Sequence, residues 1–146
     1  MPKTANLLRA AAQEFIGGED WKKKDVAWVS IGEPDDKSSI VINNWLDGVP
    51  NLKIQFWDLT EAVPLLDGYG TILYPPTEKD AATIVDFLVK NKGRNILVNC
   101  AAGVSRSGAV CAFLEKHMGY EWLTYFKENA RPNKLLLRMM EEYYYA

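Results

Sequence analysis

Cys100 stands six positions ahead of Arg106, and the residues between them are small: Ala101, Ala102, Gly103, Val104 and Ser105. An apolar run, Ile96-Leu97-Val98, leads into Asn99 and Cys100, and a helical pattern begins near Ser105. A strand, a tight loop and a helix start, in that order, make an anion site. Successive backbone N–H groups point at one spot, and the helix dipole favours negative charge there. A phosphate in such a loop would meet the Cys100 sulfur and the Arg106 guanidinium, whose planar fork suits two phosphate oxygens. The thiolate is the attacking form of a cysteine, and a positive surrounding favours it. The implied chemistry is thiol attack on a phosphate ester, with Ala101, Ala102, Gly103, Val104, Ser105 and Arg106 binding the phosphate.

Val98 to Gly108 resembles the signature loop of the cysteine-dependent protein phosphatases, Cys-x5-Arg followed by Ser or Thr. Its Ala-Gly-Val-Ser-Arg-Ser sequence is most similar to the dual-specificity and the bacterial or phage-type tyrosine phosphatases. The likeness is dense over the loop and holds only as a pattern from Trp28 to Arg131. Low-molecular-weight phosphatases carry their loop near the N-terminus, whereas here it lies in the second half of the chain. The resemblance implies hydrolysis of phosphate monoesters on proteins through a cysteinyl-phosphate intermediate. Phosphotyrosine would be the substrate, with phosphoserine and phosphothreonine left open. It also implies no metal and no cofactor. Ser107 is carried over as the hydroxyl that hydrogen-bonds the Cys100 sulfur when the phospho-enzyme breaks down.

The leaving oxygen needs a proton, and a carboxylic acid on a loop is the usual supplier. In the resembled family it follows a strand beside the loop strand. Asp58, in Phe56-Trp57-Asp58-Leu59, fits that place, with Asp67 and Glu61 as alternatives. Asp67 sits beside Gly68, where a turn role is expected. Asp58 lies 42 residues before Cys100, so the connection between them would carry an insertion. One position departs from the resemblance: the residue before the cysteine is Asn99 rather than His, which implies a weakened activity or a shifted pH optimum. The one histidine, His117, lies well along the next helix, so no Cys–His pair is expected.

Two other readings compete. One is a phosphate-binding module without turnover. The other is a same-fold phosphatase for a non-protein substrate, such as a phosphoinositide or an RNA 5′-triphosphate. Ala101, Ala102 and Val104 carry no charge, which argues against the first of those substrates, and the pI near 5.5 argues against RNA. A rhodanese-like sulfurtransferase fits the Ser-Arg-Ser-Gly ending poorly.

The elements that must position these residues follow from periodicity. Asn6 to Ile16 has helical spacing, ended by Gly17-Gly18. Strands are expected over Val26–Ile31, Ser39–Ile42, Asn51–Trp57 and Ile96–Asn99, with a turn-rich loop over Glu33–Ser38. Asp58 to Pro76 is a long connection. Thr77 to Asp80 forms a capping box opening a helix over Lys79–Lys92, stopped by Gly93. Further helices are expected over Ser105–His117, Tyr120–Asn129 and Pro132–Tyr145. Strands alternating with helices predict an α/β fold: a small, mostly parallel, twisted sheet of four or five strands flanked by helices, as in the tyrosine phosphatases.

At 146 residues the chain is expected to be one domain, residues 1–146. Its 48% apolar and 25% charged content is ordinary for a globular protein. A net charge of −2 gives no basis for nucleic-acid binding, and Lys22-Lys23-Lys24 reads as a solvated surface. No apolar run approaches a membrane span, and no secretory leader pattern opens the chain. Two cysteines are no disulfide framework, and a working thiolate needs a reducing compartment, so a cytoplasmic location is expected. Cys111 and the five tryptophans read as core, while the oligomeric state is left open.

Overall fold

The strand that delivers Cys100 lies at the centre of the sheet. The computed structural model describes residues 1–16, 25–35 and 48–146. Five strands form one sheet: β1 (Lys3–Leu8), β2 (Val26–Gly32), β3 (Asn51–Gln55), β6 (Asn95–Cys100) and β7 (Glu121–Trp122). Their order is β3-β2-β6-β1-β7, and every pairing is parallel. Two short strands, β4 (Leu65–Leu66) and β5 (Ile72–Leu73), form a separate antiparallel hairpin. The helices are α1 (Arg9–Ile16), α2 (Glu78–Lys90), α3 (Arg106–His117), α4 (Thr124–Glu128) and α5 (Lys134–Tyr145). This is the expected α/β architecture.

Side chains alternate across a strand, so each strand feeds two cores. Ala27, Val29, Ile31, Ile96 and Val98 face α2, α3 and α5 in the larger core. Val26, Trp28, Leu97, Ala5 and Leu7 face the other side, where Ala12 of α1 and, from beside and within α4, Leu123 and Phe126 cover them. A parallel sheet covered on both faces has no polar side, and β2 is buried along its whole length. The carboxyl ends of β1, β2 and β6 meet at one edge of the sheet, where open parallel sheets place their ligand sites.

Several expectations change. Asn6 to Leu8 belongs to a strand, and helix begins only at Arg9. The segment expected as one helix over Tyr120–Asn129 is a short strand followed by a short helix. The long connection after Asp58 folds part of its length into the β4–β5 hairpin. The Thr77 capping box forms as read, with Asp80 in the acidic position. The Gly17-Gly18 stop, the Ser39–Ile42 strand, the Lys22–Lys24 run and positions 36–38 lie outside the described residues.

Candidate active site

At Cys100 the chain leaves β6 and turns through Ala101–Ser105 into α3. The turn needs Gly103, whose φ is +69°. A Cβ there would also lie 2.3 Å from the Leu8 backbone nitrogen, so β1 presses against the loop. Asn6 of β1 fixes the contact by donating from Nδ2 to the Gly103 carbonyl (2.7 Å), and the Arg9 N–H donates to the Ala101 carbonyl (3.3 Å). From the opposite side, the backbone N–H groups of Arg131 and Asn133 donate to the carbonyls of Val104 and Ser105. Gly108 faces this segment, where a Cβ would lie at an ordinary contact distance of 3.4 Å from Ala130 and Pro132.

Cys100 is buried, and its sulfur lies 3.1 Å from the Ser107 hydroxyl. Arg106 is 4% exposed and is gripped from three directions. Nη1 donates to the carbonyls of Gly32 (3.2 Å) and Phe56 (2.8 Å), and Nη2 donates to Glu33 Oε1 (3.2 Å). Nε is buried without a partner among the described residues. A guanidinium has five N–H groups, so this leaves the Nε proton and one Nη2 proton for a bound oxyanion. Glu33 also accepts from Arg9 Nη2 (2.8 Å), so one carboxylate braces two arginines beside the loop.

Asp58 follows β3, which is not beside the loop strand as expected but one strand further out, beyond β2, and it still reaches the rim of the same loop. Its Oδ1 accepts from the Ser105 hydroxyl (2.9 Å) and from Asn133 Nδ2 (2.7 Å). Ser105 stands at the N-cap position of α3, but its hydroxyl makes no capping bond and goes to Asp58 instead. Asp67 lies elsewhere: its Oδ1 accepts from the Tyr69 and Thr71 N–H groups and closes the β4–β5 turn. Glu61 lines a cleft of about 270 Å³ with Leu59, Thr60, Val63, Pro64 and Leu65, just beyond Asp58.

Asn99 is fully buried, and its Oδ1 accepts from Trp28 Nε1 (2.9 Å). The indole can only donate, so the amide orientation is fixed. Its Nδ2 then has no partner among the described residues. Cys111 sits in the core on α3, 3.3 Å from the Thr4 hydroxyl, and burial pushes its thiol up to about 12. Both cysteines are free. His117 lies at the far end of α3, between Tyr145 Oη and Glu141 Oε2, each 2.7 Å away. Among the described residues the Arg131 guanidinium donates only to the Ala130 carbonyl.

Sequence reading thus brought Cys100, Arg106, Ser107, Ser105 and Asp58 to one place, and the fold assembles all five there. It missed Glu33, Asn133 and Asn6. Glu33 follows the last residue of a strand neighbouring β6, the position where parallel sheets collect functional groups. Asn133 opens a helix after a proline, an N-cap signal that was available in the sequence.

No protein-family model matches the chain, and no curated protein is similar to it in sequence. Solved structures share its fold. A human tyrosine phosphatase-like serine/threonine/tyrosine-interacting protein superposes with a TM-score of 0.53 at 19% identity, over 83% of this chain and 79% of the other. Tk-PTP in its active form gives 0.50 at 16% identity, over 96% and 88%. The Yvh1 phosphatase domain from Chaetomium thermophilum gives 0.51 at 17% identity, over 97% and 88%. The chain has the tyrosine-phosphatase fold.

Proposed function

We propose that this protein hydrolyses phosphate monoesters on proteins, phosphotyrosine first among them, through a cysteinyl-phosphate intermediate. The observation that carries the reading is the assembly around one loop. A buried Cys100 has a hydroxyl 3.1 Å from its sulfur, Arg106 keeps two N–H groups uncommitted among the described residues, and Asp58 is bonded to the loop's own Ser105. The phosphoryl group enters the loop, where the N–H groups of Ala101 to Arg106 and the free edge of Arg106 hold its oxygens. The Cys100 thiolate attacks phosphorus, and Asp58 gives its proton to the departing oxygen. Asp58 then takes a proton from water as that water attacks the phosphocysteine. Ser107 donates to the sulfur as it leaves. No step needs a metal or cofactor. Two free cysteines, one reactive, suit the reducing cytoplasm.

A second reading, phosphate binding without turnover, draws support from Asn99. It stands where the resembled family has a histidine, and it has one committed acceptor and, among the described residues, an orphan donor. One of the solved structures that share the fold is itself described as phosphatase-like. Hydrolysis of p-nitrophenyl phosphate from about pH 5 to 8, without metal, separates the two. Wild type should turn over, Cys100→Ser should not, and Asp58→Asn should lose the basic limb of the profile. Folded wild type that binds phosphate yet releases none would leave the second reading standing.

A further inference from the structure

The segment that follows Asp58 is unusual in what it exposes. Among the described residues twelve large apolar side chains are exposed, and half of them fall between positions 63 and 74: Val63, Leu65, Leu66, Tyr69, Ile72 and Tyr74. Tyr69 is 95% exposed and Leu66 65%. Leu65 and Leu66 are consecutive residues of β4, so they point to opposite faces of the hairpin. Both faces are therefore in solvent, and the hairpin stands clear of the two cores. The turn is nonetheless built with care. Asp67 accepts two backbone N–H groups, its own N–H donates to the Thr71 carbonyl, and Gly70 takes a positive φ of 83°. A two-stranded hairpin has little stability of its own, and an exposed apolar cluster of this kind marks a contact surface.

We infer that the β4–β5 hairpin is a substrate-docking arm that takes an apolar stretch of a phosphorylated polypeptide, beside the residue whose phosphate enters the Cys100 loop. The inference deepens the proposed phosphatase reading and rests on it. Two observations choose this occupant. The first is continuity: the chain runs from Asp58 along the cleft lined by Leu59, Thr60 and Glu61 straight into Val63 and Leu65. A polypeptide anchored by its phosphate has the arm within reach. The second is charge. Positions 58–76 hold three carboxylates, Asp58, Glu61 and Asp67, and no Lys, Arg or His. An anionic lipid surface or a nucleic acid would be repelled there, whereas an apolar peptide with basic flanking residues would not. Exposed Tyr side chains such as Tyr69 and Tyr74 supply contact area at low entropic cost in such interfaces.

The test uses two phosphotyrosine peptides that differ only in their flanks, one carrying Leu, Ile and Lys, the other Ser, Gly and Glu. Wild type is compared with Leu66→Ser/Ile72→Ser and with Tyr69→Ser, all exposed positions outside the catalytic loop. The arm predicts that wild type prefers the apolar peptide. It also predicts that each variant loses roughly tenfold in kcat/KM on that peptide, through KM. Turnover of p-nitrophenyl phosphate, too small to reach the hairpin, should stay within about twofold. Binding of the labelled peptides to Cys100→Ser, with and without the hairpin substitutions, reads docking independently of turnover. If no form releases phosphate but the hairpin substitutions still weaken peptide binding, the hydrolase reading fails and the arm survives. Equal handling of both peptides by wild type and variants would overturn the arm. So would binding to anionic phosphatidylserine vesicles that the variants abolish, or a wild-type dimer in sedimentation that the variants convert to monomer.

Discussion

Asp58 does not hang free at the loop rim; two neighbours hold one of its oxygens, and one of them has a second duty. Asn133 donates from Nδ2 to Asp58 and to the Leu59 carbonyl, while its Oδ1 accepts the Leu136 N–H and caps α5. A single side chain thus ties the start of α5 to the position of the candidate acid. The two duties separate by substitution. Asn133→Ser keeps a good N-cap residue but is too short to reach Asp58. Its stability should stay within about 1 kcal/mol of wild type, with kcat for p-nitrophenyl phosphate down by on the order of tenfold and KM unchanged. Asn133→Ala should lose the cap as well, about 1 kcal/mol in urea unfolding. An unchanged kcat in both would show that the hold on Asp58 is dispensable. Asn99 makes a different argument. It and Trp28 are both buried, and each is the other's partner across adjacent strands. Trp28→Phe should cost about 1–3 kcal/mol, because it leaves a second polar atom of Asn99 unpaired. Adding Asn99→Leu should then restore stability, since the orphaned amide goes with it. A double variant less stable than Trp28→Phe alone would mean that Asn99 is held by something other than the indole.

At the level of elements, the loop is shaped by β1 as much as by its own sequence. Gly103 has a left-handed φ and no room for a Cβ against Leu7 and Leu8. Gly103→Ala should therefore push the loop off β1, lowering kcat/KM by roughly a hundredfold, with a stability loss of about 1–3 kcal/mol. Wild-type turnover in that variant would show that the loop accommodates the methyl by moving where catalysis does not feel it. The same strand was the element hardest to see in the sequence. Thr4 to Leu7 is buried on both faces, and its polar–apolar alternation, Thr4, Ala5, Asn6 and Leu7, runs for only four residues before Leu8 breaks it. Its Leu7-Leu8 pair also sits at helical spacing from Ala11, and the real helix begins immediately after it. β7 is two residues long, below what periodicity can resolve. By contrast α2 announced itself through Thr77 and Asp80, and β6 through its apolar run. The candidate site was legible where chemistry is local in the chain, from Cys100 to Ser107. It was illegible where the fold imports residues: no sequence neighbour ties Glu33 at the end of β2 to the loop, and the N-cap signal at Asn133 marks the start of α5 without pointing to Asp58.

For the molecule as a whole, α3 is the axis that joins site and core. Its first turn supplies Arg106 and Ser107, its middle buries Cys111, and its last turn presents His117 to Glu141 and Tyr145 of α5. The two cysteines are divided by this arrangement, Cys100 at the end of β6 and Cys111 in the buried middle of α3. Burial raises the Cys111 thiol from its ordinary 9.0 to about 12, only partly offset by the Thr4 hydroxyl. Cys111 therefore stays a neutral thiol in the fold at any working pH. Tyr120, which donates to the Arg94 carbonyl at 2.7 Å, is also raised above its ordinary 10.0, by burial first. The sign of the linkage follows. Above about pH 9 the unfolded chain gives up the Cys111 proton while the folded chain keeps it, so the folded state binds more protons. Stability is full below that pH and falls as pH rises toward 12, by up to about 1.4 kcal/mol per pH unit for this one group. Tyr120 adds to the fall only from its own ordinary value upward. Urea midpoints of wild type and Cys111→Ala at pH 8, 9 and 10, read as about one-unit steps, isolate the cysteine contribution, because Tyr120 is common to both proteins. Wild type should lose stability between the last two points, and Cys111→Ala should lose distinctly less over the same step. Parallel lines for the two proteins would mean that Cys111 ionises in the fold as readily as in the unfolded chain. The α3 core would then be more open to water than its burial implies, and Cys111 would compete with Cys100 for thiol reagents.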